Sequence, residues 1–323
     1  MSKPKVAIYW LASCGGCDEA LVDLGPSLLE VADAVELVLW PAALDFKVRD
    51  IEALADGAIT ASLINGAVRT DEQAHMARLL RRKSHVVVAF GACAHLGGIP
   101  GLANLVGSAE IFRAKYLAPP FVDNPMGVVP TPDARLGALE LPLPGFWPQV
   151  HSLEQIVPVD YTLPGCPPPP NLILAALHAL LSGDLPPTGS VLAPDRALCD
   201  TCPRKPAREP GRKPAQLRRV HEVAADPDQC FFEQGIICAG PATRGGCGES
   251  CIRGNMPCTG CFGPPAGVQD QAAKLLAAVA SMLDTRAADA PALARDLVDP
   301  AGTLGRYAIP TSLLAARRDR TEP

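Results

Sequence analysis

At 323 residues, 48% of them hydrophobic, the chain is long enough for about two domains with a sizeable core. A net charge of −5 and 5% aromatics argue against a nucleic-acid partner. No apolar run reaches the roughly 18 residues of a membrane span, so no transmembrane anchor is expected. The opening MSKPKVAIYWL lacks the order of a secretory signal, and a cytoplasmic location is expected.

The first half reads as a doubly wound α/β unit. The apolar run Lys5 to Leu11 suits a buried strand, followed by a loop and a helix opening near Cys17. Val35 to Trp40 and Ala58 to Asn65 are the second and third strands. The run from Asp71 to Lys83 has acids at its start and bases at its end, as a helix dipole favours. His85 to Phe90 is a fourth strand, Ile156 to Tyr161 a fifth, and a helix covers Asn171 to Leu181. Such alternation predicts a parallel sheet. Residues 118–148, rich in Pro and Gly, read as a surface excursion. From Pro186 to Pro265 periodicity is lost, and a segment of that size without a visible core needs another source of order. Apolar residues from Val268 to Leu283 mark one face of a last helix, and the tail to Pro323 carries no signal.

Cysteine carries the chemistry. There are 12, and in a reducing compartment they read as metal ligands rather than disulfides. They divide into three sets of four, and a cubane iron–sulfur cluster takes four thiolates. Cys14 and Cys17 follow the first strand, Cys93 the fourth and Cys166 the fifth, so all four fall at the carboxyl edge where open α/β sheets bind ligands. Gly15, Gly16, Gly91 and Gly165 let backbone approach that edge. A thioredoxin-like pair would leave Cys93 and Cys166 without a role. A flavin would need a phosphate cradle where Ser13 to Asp18 offers thiols and an acid, and zinc sites usually use two close pairs where this set has one.

The favoured division of the rest puts Cys199, Cys202, Cys230 and Cys238 on a second cluster and Cys247, Cys251, Cys258 and Cys261 on a third. Spacing does not force it: one ligand can serve the neighbouring cluster, and two zinc ribbons also fit. Arg204 to Arg219 holds seven Lys and Arg against one Glu, either a solvated loop or a docking patch for an acidic redox partner.

Six motifs now stand in order: WLASCGGCDEALVDL at 10–24, GACAHLGGIPGLANL at 91–105, PGCPPPP at 164–170, CDTCPR at 199–204, GIICAGPAT at 235–243 and PCTGCFGP at 257–264. On them the chain resembles the small, electron-transfer subunit of nickel–iron hydrogenases. The likeness is nearest to the cytoplasmic methyl-viologen-reducing type (its gamma chain) associated with heterodisulfide reductase, and it runs from about residue 4 to 265.

The resemblance implies a flavodoxin-like domain over 1–185 holding the proximal 4Fe–4S cluster on Cys14, Cys17, Cys93 and Cys166. It implies an irregular domain over 186–265 holding a medial cluster on Cys247, Cys251, Cys258 and Cys261. The same domain would hold a distal one on Cys199, Cys202, Cys230 and Cys238, with a helix and tail over 266–323. Membrane-bound relatives have histidine at the position of Cys199 and often proline at that of Cys251, where their medial cluster is 3Fe–4S. Cys251 here implies a fourth ligand and a lower potential. The nickel–iron centre would sit on a partner large subunit, no catalytic residue is expected in this chain, and electrons would leave to an iron–sulfur or flavin subunit during reversible hydrogen oxidation.

Alternatives are a hydrogen-sensing regulatory hydrogenase, another uptake-type hydrogenase, a structural zinc protein, and the related small subunit of respiratory complex I. The last keeps only the proximal cluster. Glu19 reads as an acid near the proximal site or simply a helix N-terminal acid. Trp10 and His95 read as packing or subunit-contact residues.

Overall fold

The structure, a computed structural model, describes residues 3–313 except 119, 121, 210, 285–290 and 292–294. One residue of the basic loop, two of the surface excursion, and part of the tail, including its last ten residues, therefore lie outside the described residues.

In chain order the first half runs β1 (Lys5–Trp10), α1 (Gly16–Val22), α2 (Pro26–Ala34), β2 (Glu36–Leu39), α3 (Val48–Glu52), β3 (Ile59–Asn65), β4 (Val68–Thr70), α4 (Asp71–Lys83), β5 (Ser84–Phe90), α5 (Ala92–Leu96) and α6 (Ser108–Phe112). A hairpin of β6 (Asp133–Leu136) and β7 (Leu139–Pro142) follows, then β8 (Phe146–His151), β9 (Tyr161–Leu163) and α7 (Pro170–Ser182). Five strands pair in parallel in the order β2-β1-β3-β5-β9. Numbered among themselves they give 2-1-3-4-5, the flavodoxin-like doubly wound order.

Alternation along the strands splits the core. Ala7, Ile64 and Val87 face one side, where Met76, Leu79 and Leu80 of α4 cover them. Val6, Ile8, Leu63 and Val88 face the other, against Leu21 of α1 and Ile173 and Leu177 of α7. Each fully buried aliphatic side chain here contributes about 1.5–3 kcal/mol relative to exposure. Helix α4 starts on a capping box, Thr70 accepting from the Gln73 amide while the Gln73 side chain turns back.

Register fixes what the sheet presents. Trp10 pairs Asn65, Asn65 pairs Phe90, and Phe90 pairs Leu163. The carboxyl ends of β1, β3, β5 and β9 therefore finish on one line, and the loops after three of them carry Cys14 and Cys17, Cys93, and Cys166.

The fifth strand differs from its sequence expectation, lying at Tyr161–Leu163 rather than 156–161. Ile156 and Val157 instead turn back on Leu153, and Val157 enters the core. Pro158 has no amide to give a ladder, and Asp160 spends its carboxylate on the Val87 amide and Arg81. The excursion also holds more order than composition suggested: the β6–β7 hairpin, and the first residues of β8, which pairs antiparallel with β4.

Beyond α7 regular structure thins. Between Leu198 and Arg253 the chain makes short 3-10 turns and one four-residue helix, α8 (Ser250–Arg253). Leu198, Phe231, Phe232 and Ile252 pack with Leu275 and Val279 of α9 (Gln271–Met282), and buried Cys238 and Cys258 belong to the same cluster. Asp270 caps α9 by accepting from the Ala273 amide. After α10 (Pro300–Leu304) the chain returns to the first half: the Gly98 amide donates to the Tyr307 carbonyl at 3.0 Å, and Pro310 fills the space a side chain on Gly97 or Gly101 would need. Among the described residues no helix is long and apolar enough to cross a membrane.

Candidate functional site

The first set is assembled by the sheet. Past β1 the chain bridges Ala12 to Ala67, then turns at Gly15 in the left-handed region so that α1 begins with Cys17 pointing inward. The Gly16 amide lies 3.4 Å from Cys14 Sγ. Gly91, at φ 88, opens α5, and the Gly91 and Ala92 amides donate to the carbonyls of Leu163 and Gly165 at 2.8 and 2.6 Å. Those two bonds tie the loop of Cys93 to that of Cys166.

A side chain on Gly91 would collide with Cys17 Sγ, and a Cβ on Gly98 would stand 2.5 Å from Cys93 Sγ. Cys17 and Cys93 are buried, while Cys14 and Cys166 are exposed. Burial raises the Cys17 thiol, and the charges of Cys93, Cys166 and Cys14 raise it further. Burial likewise pushes Cys93 up to about 12, against hydrogen bonds from the Ile99 amide and the Ser13 hydroxyl. All four sulfurs therefore feel one another.

The other eight thiols gather around the second core. Cys199, pushed up to about 12, is raised by burial and then by Cys202 and Cys230. Buried Cys238 accepts from the Cys258 amide at 3.3 Å, and a Cβ on Gly240 would stand 3.0 Å from Cys199 Sγ and 3.7 Å from Cys238 Sγ. The Phe232 and Glu233 amides hydrogen-bond Cys230. Cys258, pushed up to about 11 by burial, receives bonds from the Gly260 amide and the Thr243 hydroxyl and feels Cys247 and Cys251. Cys261 is raised by burial and then by Cys258, by Cys166 of the first set, and by Cys247 and Cys251. A cavity of about 170 Å³ is lined by Cys166, Cys247, Cys251, Cys258 and Cys261 together.

The donor chemistry fits iron–sulfur clusters. Each set offers soft thiol ligands, backbone amides aimed at sulfur, and, around the first two, glycines where a Cβ would fill the cradle. Iron would take the place of the thiol protons on binding. Among the described residues no three His, Cys, Asp or Glu side chains are spaced to hold a single ion.

The other residues singled out in the sequence lie on a helix terminus or in packing contacts. Glu19 is exposed on the first turn of α1. Its neighbour Asp18 is buried, accepting from Trp40 Nε1 and Asn65 Nδ2 at 2.8 Å each. Trp10 is 45% exposed and lays its ring on Gly15. His95 wedges against Gly263, and burial, with Arg244, lowers it to about 4. Sequence reasoning also passed over Ser13, Thr201 and Glu249. The last two meet between the C-x-x-C at 199–202 and the C-x-x-x-C at 247–251, and only their position between ligands could have flagged them.

Residues 14–180 match the family described as NADH ubiquinone oxidoreductase, 20 Kd subunit. The chain is 39% identical over 282 residues to the iron-sulfur subunit of the F420-non-reducing hydrogenase of Archaeoglobus profundus, covering 86% of this chain and 88% of that one. It is 35% identical to a vhu subunit of the F420-non-reducing hydrogenase of Methanocaldococcus jannaschii, over 96% of both chains. Among solved structures it is similar to the [NiFeSe] hydrogenase of Desulfovibrio vulgaris Hildenborough, at 19% identity and a TM-score of 0.50 over 83% of this chain and 95% of that one, a likeness of fold. With its doubly wound sheet, its twelve thiols and relatives matched nearly end to end, the chain belongs to the family of small subunits of nickel–iron hydrogenases.

Proposed function

We propose that this subunit carries single electrons between the nickel–iron centre of a large subunit and a redox partner, on three 4Fe–4S clusters. Cys14, Cys17, Cys93 and Cys166 would hold the proximal one, Cys247, Cys251, Cys258 and Cys261 the medial one, and Cys199, Cys202, Cys230 and Cys238 the distal one. When bound, each cluster supplies a one-electron carrier. The chain's own part is to hold the carriers close, keep water out and set their potentials through amide and hydroxyl bonds to sulfur.

One observation carries the reading. Cys166 from the sheet edge and four thiols of the second region line one cavity, so two of the cysteine sets are neighbours. Cys258, whose amide reaches Cys238, continues the row toward Cys199. The large subunit would cover the end where Cys14 and Cys166 are exposed beside Trp10.

An acidic acceptor would dock at the opposite end, on Lys205, Arg208, Arg212 and Lys213. These line a cavity of about 490 Å³ with Glu209 and Glu233, and the Arg208 charge reaches Cys199 and Cys230. A cytoplasmic complex accords with a chain in which no described helix spans a membrane.

The test is anaerobic purification with the large subunit. About twelve irons per small subunit, beyond those of the large one, are expected at four per cluster, with zinc absent. Eight irons or fewer, or zinc in their place, overturns the reading.

A further inference from the structure

Glu249 stands between two ligands, Cys247 and Cys251, in a backbone conformation that glutamate seldom adopts. Its φ of 52 and ψ of 33 lie in the left-handed region, which strains a residue with a Cβ. Its side chain is also only 10% exposed, a poor place for a charge. A glycine would satisfy the turn without either cost, and Gly248 beside it already does so at φ 70.

Two contacts show what the side chain and its conformation achieve. The left-handed turn aims the Glu249 amide at the Cys247 sulfur. Glu249 also lines the cavity shared by Cys247, Cys251, Cys258 and Cys261. There one oxygen accepts from Thr201 Oγ1 at 2.5 Å, across the seam between the second and third ligand sets. The other lies 3.9 Å from the Arg253 guanidinium, whose side chain is 66% exposed and solvent-screened. The nearest neutralising groups are thus one hydroxyl and one distant cation.

From this geometry we propose that Glu249 is a positioning residue whose buried charge lowers the reduction potential of the third-set cluster, with Thr201 trimming the effect. Adding an electron adds negative charge beside a carboxylate, and low dielectric makes that repulsion large. The proposal deepens the function above and rests on Cys247, Cys251, Cys258 and Cys261 holding one cluster.

The test is a spin-resonance-monitored redox titration of the complete hydrogenase, reading the signal that a Cys251→Ala complex alters. Glu249→Gln keeps the shape and the partner for Thr201 but removes the charge. Its midpoint potential should rise so that the reduced-to-oxidised ratio at fixed potential changes about tenfold, 59 mV for one electron. Thr201→Val keeps every ligand and the carboxylate but removes the donated proton, so the potential should fall by a smaller step. A packing lesion has no reason to move the two variants in opposite directions. An unchanged potential in Glu249→Gln, or shifts of the same sign in both, overturns the proposal. Should Glu249→Gln fail to assemble, Thr201→Val carries the test alone, and a potential that does not fall overturns it. Absence of the signal and of its four irons from the unsubstituted complex overturns the underlying reading as well.

Discussion

Residues 5–182 hang four cysteines on the edge of a five-stranded sheet, whereas residues 198–261 hold eight on 3-10 turns and one four-residue helix. In the first region the layer under α4 holds no thiol, and the opposite layer holds Cys17 as one thiol among the aliphatic side chains of the sheet, α1 and α7. Cys17 and Cys93 are buried too, but they are delivered by strands whose register is fixed by side-chain alternation. In the second region Cys238 and Cys258 are themselves core residues, and Cys202, Cys230 and Cys247 pack on the same cluster. A sheet can thus build a ligand site before metal arrives. On the proposed function, ligation and folding would be coupled in the other region, because removing iron would return buried thiols to a core with little backbone pairing of its own.

The largest expected effect breaks the molecule along that line. Chelation of iron under anaerobic, denaturant-free conditions should raise amide exchange across 198–261 by ~100-fold or more while leaving the amides of β3 and β5 nearly unchanged. Exchange mass spectrometry reads both regions at once. Equal loss of protection in the sheet would show that the first region also leans on its cluster.

The next effect is confined to one site and sharpens the contrast between rigid and yielding cradles. Gly91→Ala forces a Cβ into Cys17 Sγ at a φ of 88, where sheet and α1 hold both sides. About four irons per chain should be lost, with unfolding free energy reduced by roughly 1–3 kcal/mol. Gly240→Ala meets Cys199 Sγ at 3.0 Å in an ordinary backbone conformation, within turns that can shift by a few tenths of an ångström. It should retain its iron. Iron assay and thermal unfolding of the two variants decide, and iron loss from both would mean the turns are as stiff as the sheet.

Legibility followed the same division. The strands ending at Trp10, Asn65 and Phe90 and the helix from Asp71 were readable because burial on both faces writes continuous apolar runs and because α4 carries its own cap and charges. The fifth strand was misplaced because Ile156 and Val157 are apolar for a different reason, plugging the core from a turn. Strand β4, three residues long, and β8, with Pro148 inside it, are too short and irregular to show a period. The return of the tail to Gly98 depends on Pro310 meeting glycines some two hundred residues away, which leaves no local trace. Of the site, the cysteines were visible as residue types. The roles of Asp18 and Glu249 were not, since a letter beside a ligand does not say whether its carboxylate faces water, as Glu19 does, or the interior.

The smallest expected effect concerns the far rim of the second region. Arg212 pairs with Glu209 at 3.0 Å, and Lys213 reaches the Ser281 carbonyl at 2.9 Å, so both are tethered yet still line the basic cavity. Rim charges steer encounter more than they hold a complex, and salt screens them over about 8–10 Å. Arg212→Glu combined with Lys213→Glu should therefore slow reduction of the protein acceptor by about tenfold at low ionic strength and much less at high salt. Reduction of a small neutral dye and iron content should stay as they are, because both side chains lie exposed on the rim. Stopped-flow rates against ionic strength separate these outcomes. A parallel fall for dye and protein would place the lesion in the electron path itself, and an unchanged salt dependence would move the docking face away from this loop.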